Sequence, residues 1–132
     1  MDNAWVLARS DRPRSWGFFT EALASDLHDT QGGTSAEGIH LGAMAGTVDL
    51  AQRCYTGLET REDVLWLDPS LPEELDGLGF DVRYRGHWGV NLHLTRRRLR
   101  VQVAASDAAP VRIGVKGEVV ELVPGSTREF PC

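Results

Sequence analysis

The sequence contains few cysteines and no excess of basic residues. Its two cysteines, Cys54 and Cys132, are too few and too far apart in the chain to predict a disulfide scaffold or a closed zinc site. They favour a reducing, cytoplasmic setting. The formal net charge is -5, whereas a protein that binds nucleic acid would normally carry a basic patch or stripe. We therefore expect no disulfide framework, no metal site and no nucleic-acid partner.

The sequence also lacks a long apolar segment. Its longest uncharged run, residues 38–48, is far shorter than the roughly 20 residues that a helix needs to span a bilayer. The apolar run near the N-terminus ends before Arg9 and is too short for the core of a signal peptide. The sequence thus predicts no membrane partner.

Known catalytic motifs are missing as well. The sequence has no nucleophile elbow, no phosphate-binding glycine loop of known type and no metal-spaced cluster of histidines and cysteines. No pair of carboxylates is placed convincingly as general acid and general base. The residues alone therefore do not define a complete active site.

The first half of the chain has the periodicity of helices. Ser10 or Asp11 can cap a helix, and Pro13 suits its first turn. A shorter apolar helix is expected before it, at about residues 4–8. The buried face of the capped helix is predicted from apolar residues at three-to-four spacing, namely Trp16, Phe19, Leu23 and Leu27.

The second half alternates between apolar and polar residues, which predicts half-buried strands. Hairpin turns are expected at Arg85-Gly86 and Lys116-Gly117. Strands at this spacing favour an antiparallel sandwich from about Val64 to Phe130. Residues 60–75, which include Pro69 and Pro72, are expected to form the connector between the helices and the strands. The residues predicted to point inward are Phe80, Val82, Trp88, Val90, Leu92, Val101, Val103, Ile113 and Val115.

Between these regions lies a helix with unusual glycine content. Residues 34–37, Thr-Ser-Ala-Glu, match a capping box and predict a helix from Thr34 to about Tyr55, with Gly57 near its end. Gly38, Gly42 and Gly46 share one stripe of this helix, which would let another backbone or a ligand come close. From residue 38 to 48 the helix has no polar face, so it should be buried on every side. Two or three helices and a small sandwich cannot easily surround it, which indicates a fragment or a subunit completed by a partner.

His40 is the single ionisable residue in this apolar stretch. A lone histidine on an apolar helix is more often a core residue than a ligand. Its position near the helix N-terminus, where free amides and the helix dipole favour an anion, supports a binding role. The capping box alone explains Glu37, so catalysis by that carboxylate is not expected.

Two features of the strand half have ordinary structural explanations. Trp66, Tyr84 and Trp88 could form a platform for a sugar ring, but the alternation places Tyr84 and Trp88 on the apolar face, which favours core packing. His87, Asn91 and His93 share the polar face of one strand and are expected to be solvated. The arginines at positions 96–98 are interpreted as charged protection of a sheet edge.

Three stretches carry a resemblance to a known family: DTQGGTSAEGIHLGAMAGT, LAQRCYTGLETREDVLWLDPSLPEEL and FDVRYRGHW. Together they closely resemble the C-terminal part of glycoside hydrolase family 65, which includes maltose, trehalose and kojibiose phosphorylases and some trehalases. The resemblance implies an α+β chain. Residues 1–58 would be the last helices of an (α/α)6 barrel, and residues 59–132 a small antiparallel, jelly-roll-like β sandwich.

The resemblance also implies a function. His40 matches a histidine that helps to hold phosphate in the family's inverting phosphorylases, and Thr34, Glu37 and Gly38 are its candidate neighbours in the phosphate or substrate site. The general acid would lie outside this chain, so the chain alone should be inactive. Phosphate would be a co-substrate, with no other cofactor, and the remaining partners would be an α-linked glucose disaccharide and the rest of the barrel.

Several alternatives stay open at this stage. The sequence does not choose between phosphorolysis and hydrolysis, among the disaccharides, or between a monomer and a homo-oligomer. A different class of function, a non-catalytic sandwich that binds carbohydrate or a partner, competes with the enzyme interpretation.

Overall fold

A computed structural model describes residues 6–8, 10–24 and 41–132. The chain divides into two compact units, residues 1–54 and residues 55–132. The first unit is helical and the second consists of β-strands, so the described architecture is mixed α+β.

The helical unit contains helix α1, Arg12–Ala24. The Asp11 carboxylate accepts a hydrogen bond from the Arg14 amide at 3.2 Å, which confirms Asp11 as the cap. Phe19 is buried, and the centre of its ring lies 5.1 Å from the centre of the Trp16 ring. The prediction that Leu23 is buried is wrong: this side chain is 43% exposed, because the buried stripe runs through Ser15 and Phe19 and leaves the last turn outside. The predicted position of Leu27 lies outside the described residues.

Helix α2 spans Leu41–Asp49 and continues into a π-helical turn, Leu50–Cys54. A turn follows, and Gly57 adopts a left-handed φ of 65°, the conformation that favours glycine after a helix end. The end of the glycine-rich helix therefore lies where the sequence predicts it. Its predicted start at Thr34 lies outside the described residues.

The second unit contains two four-stranded sheets. The first sheet has the strand order β1-β2-β6-β7 and the second the order β3-β4-β5-β8. The strands are β1 Glu59–Arg61, β2 Val64–Leu67, β3 Gly77–Tyr84, β4 His87–Thr95, β5 Arg98–Val103, β6 Val111–Val115, β7 Glu118–Leu122 and β8 Thr127–Pro131.

Side chains from both sheets form one apolar core. Burial confirms most of the inward positions predicted from the alternation, while Phe80 and Val82 are half-buried against the core. The core residues are Leu65, Leu67, Val90, Leu92, Leu94, Leu99, Val101, Val103, Val111, Ile113, Val115, Leu122 and Phe130.

Strand pairing in the first sheet differs from the expectation in two respects. The segment expected to be a connector forms β2 and most of β1, which pair with each other. Strand β2 then pairs with β6 in parallel, so the sandwich is not entirely antiparallel. The run Val64–Leu67 is apolar throughout, as in strands that pack on both faces, and for this reason it carries no alternation to detect. The other strand pairs are antiparallel.

Both predicted hairpin turns are confirmed. Arg85 and Gly86 have φ values of 47° and 81°, and Lys116 and Gly117 have values of 49° and 84°. Positive φ at both central residues is the signature of the type I′ turn, whose twist matches that of the flanking strands. The turns fix the register of β3 with β4 and of β6 with β7.

A β-bulge in strand β4 overturns two expectations. Val82 pairs with Val90 but Tyr84 pairs with His87, so that Trp88 and Gly89 together oppose the single residue Arg83. The extra residue shifts the alternation. His87, expected to be solvated, is buried, and Trp88, expected in the core, is 75% exposed.

Candidate functional site

The residues predicted to form a phosphate or substrate site are Thr34, Glu37, Gly38 and His40. All four lie outside the described residues, so their roles remain predictions. The structure does describe Leu41–Asp49, the helical residues that follow His40 in the sequence. These residues show the surroundings next to the predicted site.

Helix α2 presents an apolar face to solvent. Leu41 is 71% exposed and Val48 is 56% exposed, and Ala45 between them is exposed as well. Positions 41, 45 and 48 follow the i, i+4, i+7 spacing, so they share one face of the helix. On the other side Thr47 is buried, and its hydroxyl donates to the Met44 carbonyl at 2.7 Å. The helix that the sequence predicts to be buried on every side therefore has one apolar face exposed among the described residues.

Gly42 lies on the exposed side of the same helix. A Cβ atom built on Gly42 would meet no atom within 4 Å. The close neighbour that the glycine stripe predicts is therefore not provided by the described part of the chain. Among the described residues, the exposed face of this helix therefore lacks the close packing that its glycine content predicts.

The outer face of the second sheet carries a second candidate site. One row across its four strands consists of Asp81, Asn91, Gln102 and Thr127, which pair in register. Neighbours in such a row have Cβ atoms about 5 Å apart. The Asn91 amide donates to the Asp81 carboxylate at 3.2 Å. This face is therefore an ordered array of hydrogen-bonding groups.

Trp88 lies beside this row on the same face. The guanidinium carbon of Arg83 is 4.2 Å from the centre of the Trp88 ring, and the two residues lie opposite each other across the bulge. A cation held over an indole face at this distance stabilises the ring orientation. The bulge and the arginine together hold a large aromatic side chain outward, in solvent.

A shallow groove of about 420 Å³ extends the face towards the β4–β5 turn. The Arg98 guanidinium contacts the Glu129 carboxylate at 2.9 Å. His93, Arg100 and Glu129 form the next cross-strand row, which ends on Gly79. The residues that line the groove are His93, Thr95, Arg97, Arg98, Arg100 and Glu129.

His87 has a structural role. It is 3% exposed, and its Nε2 atom lies 2.8 Å from the Ala109 carbonyl oxygen. This hydrogen bond connects the start of β4 to the loop before β6. The buried ring therefore ties the two sheets together at one end of the sandwich.

Neither a metal-binding cluster nor a membrane-spanning helix occurs among the described residues. No group of three or more histidine, cysteine, aspartate or glutamate residues is placed to hold a metal ion in that part of the chain. Of the helices in the same ranges, none is long and apolar enough to cross a membrane.

The fold defines a two-sheet β-sandwich domain preceded by helices. Residues 58–122 match the family model described as glycosyl hydrolase family 65, C-terminal domain. The chain thus belongs to glycosyl hydrolase family 65, of which it carries the C-terminal domain, and the resemblance stated from the sequence is confirmed.

Two named proteins are similar to this chain over much of its length. An uncharacterized glycosyl hydrolase of Mycobacterium tuberculosis is 45% identical over 130 residues, which cover 98% of this chain and 10% of that protein. The trehalose 6-phosphate phosphorylase of Lactococcus lactis is 41% identical over 69 residues, 52% of this chain and 9% of that protein. This chain therefore spans about a tenth of the length of these relatives.

A solved structure shares the fold. It is a candidate kojibiose phosphorylase from the human microbiome, with a TM-score of 0.82 and 20% sequence identity. The superposition covers 98% of this chain and 16% of that one.

Sequence reasoning missed the exposed position of Trp88. A plain alternation through β4 places Trp88 with Val90 and Leu92 in the core, whereas the bulge moves it to the other face. Gly89 was the available signal, because an isolated glycine inside a strand pattern is typical of a bulge.

Proposed function

We propose that this chain is the C-terminal part of an inverting phosphorylase or hydrolase that acts on an α-linked glucose disaccharide of the trehalose, maltose or kojibiose type. It would contribute the last helices of the catalytic barrel, a phosphate-binding histidine at position 40 and a structural β domain. The general acid would come from the part of the barrel outside this sequence.

One observation carries this proposal. The match to the mycobacterial glycosyl hydrolase runs through both units, over 98% of this chain, rather than through the sandwich alone. The helices and the sandwich therefore occur together in a glycosyl hydrolase. Relatives named kojibiose phosphorylase and maltose phosphorylase match 85% and 79% of this chain, which favours phosphorolysis of a disaccharide.

The exposed face of α2 supports the same proposal on physical grounds. Fully burying a leucine or valine side chain stabilises a protein by roughly 1.5–3 kcal/mol, and Leu41 and Val48 lack that burial here. A surrounding barrel would cover this face and would also come close to Gly42. The helix is therefore suited to an interior position in a larger helical domain.

The chemistry proposed for His40 follows from its predicted place near the N-terminus of the helix that the capping box at residues 34–37 begins. An imidazole near a helix N-terminus can donate to a phosphate oxygen where the helix dipole already favours negative charge. An inverting hydrolase instead needs a carboxylate at the attacking side, because water must be deprotonated by a general base. A histidine in this position thus favours phosphate as the attacking group.

The test uses the complete enzyme, meaning a polypeptide that carries this sequence as its C-terminal part. A chimera in which this sequence replaces the matching tenth of the mycobacterial relative would also serve. Trehalose, maltose and kojibiose are each incubated with and without inorganic phosphate. We expect phosphate-dependent release of glucose 1-phosphate from one of them.

The same enzyme carrying His40→Ala tests the residue. We expect phosphate affinity to fall roughly ten- to a hundred-fold, the equivalent of one charge-assisted hydrogen bond, with thermal stability unchanged. His28→Ala, which changes another histidine of the same unit, is the matched control. Lower stability with normal phosphate kinetics would contradict the role of His40, and glucose release independent of phosphate would contradict phosphorolysis.

A further inference from the structure

The outer face of the second sheet combines one exposed aromatic ring with an array of polar side chains. We propose that this face binds neutral oligosaccharides, with a pyranose ring stacked on Trp88 and its hydroxyl groups hydrogen-bonded to the row Asp81, Asn91, Gln102 and Thr127. The proposal uses residues of the sandwich alone, so it is independent of the phosphorylase assignment. It adds a binding surface to a domain proposed above to be structural.

The aromatic ring is the first requirement for sugar binding. A pyranose ring has an apolar face of C–H groups, which packs well against an indole. Trp88 is 75% exposed, although burial of so large an apolar side chain would be favourable. The β-bulge at Trp88 and Gly89 turns the indole ring away from the core, and the buried positions of β4 resume at Val90. Bulges commonly re-aim a side chain in this way next to functional sites.

The orientation of the ring is the second requirement. Arg83 holds Trp88 from across the strand pair, with its guanidinium carbon 4.2 Å from the ring centre. An indole fixed in advance loses little conformational freedom when a ligand stacks on it. The guanidinium also brings hydrogen-bond donors close to the ring. The pair therefore forms a prearranged platform on which a sugar could stack.

Hydrogen-bonding groups beside the platform are the third requirement. Asn91 and Asp81, already joined at 3.2 Å, lie next to Trp88 and Arg83 in the same two strands. Gln102 continues the row on β5 and is exposed to solvent. Amide and carboxylate groups can serve several hydroxyls at once, because they offer more than one donor or acceptor.

The shape of the face fits an extended ligand. Four strands about 4.8 Å apart give it a width of about 14 Å, enough for a short oligosaccharide. The groove lined by His93 and Arg100 continues it in the direction of the strands. Gly79 at the end of that row has no side chain to fill the groove, and a Cβ there would lie 3.2 Å from the His93 ring.

The polarity of the face favours a sugar over a protein partner or an anion. The centre of a protein interface is depleted of charged residues and enriched in several aromatic ones, whereas Trp88 is a single ring bordered by polar groups. At the platform itself an anion would meet an engaged arginine and a nearby carboxylate, because Arg83 is stacked on Trp88 and Asp81 lies in the adjacent row. These contacts leave neutral hydroxyl groups as the best match.

The test is a titration of the full 132-residue chain followed by NMR of the indole N–H groups. The chain has four tryptophans, so the Trp88 signal is identified by its loss in Trp88→Ala. The probes are maltotriose and cellotriose, with mannitol and inorganic phosphate as comparisons. We expect a saturable shift of the Trp88 signal with at least one trisaccharide and none with mannitol.

Substitutions then separate the platform from the rest of the domain. We expect Trp88→Ala to weaken trisaccharide binding at least tenfold and Gln102→Ala to weaken it about threefold, with the thermal transition unchanged because both side chains are exposed. Val119→Ala, an exposed apolar residue on the other sheet, is the matched control and should not alter binding. Binding that survives Trp88→Ala, or shifts caused by phosphate alone, would overturn the proposal.

A second measurement uses the complete enzyme in affinity electrophoresis through a gel that contains soluble starch or hydroxyethyl cellulose, both of which are neutral. Retardation that is lost in Trp88→Ala, with kcat and KM for the disaccharide unchanged, is the expected result. If Trp88→Ala instead lowers the thermal stability of the complete enzyme but not of the 132-residue chain, the face docks on the rest of the enzyme and the proposal is wrong.

Discussion

The two units of this chain use their apolar residues in opposite ways. In the sandwich, thirteen buried side chains from both sheets form one core, and Leu92 and Val101 have no measurable exposure. In the helical unit, Leu41 and Val48 remain more than half exposed on a helix with no polar face. The sandwich thus buries its apolar residues within one unit, whereas the described part of the chain leaves one apolar face of the helix uncovered.

The largest expected difference between the units is in the free energy of unfolding. Leu92→Ala removes a fully buried side chain and should destabilise the sandwich by about 2–5 kcal/mol. Val48→Ala, the matched change in the helix, should alter stability by less than about 0.5 kcal/mol in the 132-residue chain. Urea denaturation followed by circular dichroism measures both. Equal effects of the two substitutions would mean that the helix is packed as well as the sandwich.

Self-association is expected from the exposed face of α2. Covering Leu41 and Val48 in an oligomer should favour association of the 132-residue chain. We expect Leu41→Glu together with Val48→Glu to weaken association at least tenfold in sedimentation velocity experiments, since each leucine or valine contributes roughly 1.5–3 kcal/mol when buried.

The control for this measurement is Val119→Glu, an exposed position on the sandwich, which should leave association unchanged. A wild-type chain that stays monomeric at high concentration would contradict the prediction.

A smaller effect is expected at Gly42, and its sign should depend on the surroundings. In the 132-residue chain, Gly42→Ala should stabilise the helix by up to about 1 kcal/mol, because the new methyl group meets nothing within 4 Å. In the complete enzyme it should destabilise by about 1–3 kcal/mol, because a close-packed neighbour would be displaced. Gly17→Ala in α1, also in open space, is the control. The same sign in both proteins would argue against a close neighbour at Gly42.

The smallest expected effect concerns Cys132, at the end of the sandwich. Burial raises the pKa of this thiol above its ordinary value of 9.0, and the Lys116 charge opposes that rise. Because the thiolate is the reactive form, alkylation of Cys132 at pH 8 should be slower than that of an unfolded peptide. Lys116→Met should raise the pKa and slow the reaction further. The rate is measured against pH in a Cys54→Ser background, and a midpoint below pH 9 would contradict this expectation.

The sequence predicted the parts of the fold that local patterns determine. Arg85-Gly86 and Lys116-Gly117 were identified as turns because a two-residue hairpin requires residues that tolerate positive φ, and the core positions from Val90 to Val115 followed from strict alternation. The parallel pairing of β2 with β6 could not be predicted, because pairing between strands that are distant in sequence depends on the packing of the whole fold. The bulge that exposes Trp88 adds one residue to the pattern, which a periodicity count cannot detect.

The candidate sites were less predictable than the fold. The face proposed to bind sugar depends on Trp88, Asn91 and Gln102 meeting across strands, and their register is set by turns and a bulge together. The phosphate site proposed around His40 rests on family resemblance and a helix-terminus argument. Its remaining groups are expected from outside this sequence, which is why no reading of these residues could complete it.

Hydrogen exchange tests most directly the claim that the sandwich is self-sufficient and the glycine-rich helix is not. Amide exchange is measured for the 132-residue chain and for the complete enzyme under the same conditions. We predict that amides of β4 and β5 are protected equally in both, whereas amides of Leu41–Asp49 are protected strongly only in the complete enzyme. Equal protection of Leu41–Asp49 in the two proteins, or loss of protection in β4 and β5 when the rest of the enzyme is absent, would contradict the claim.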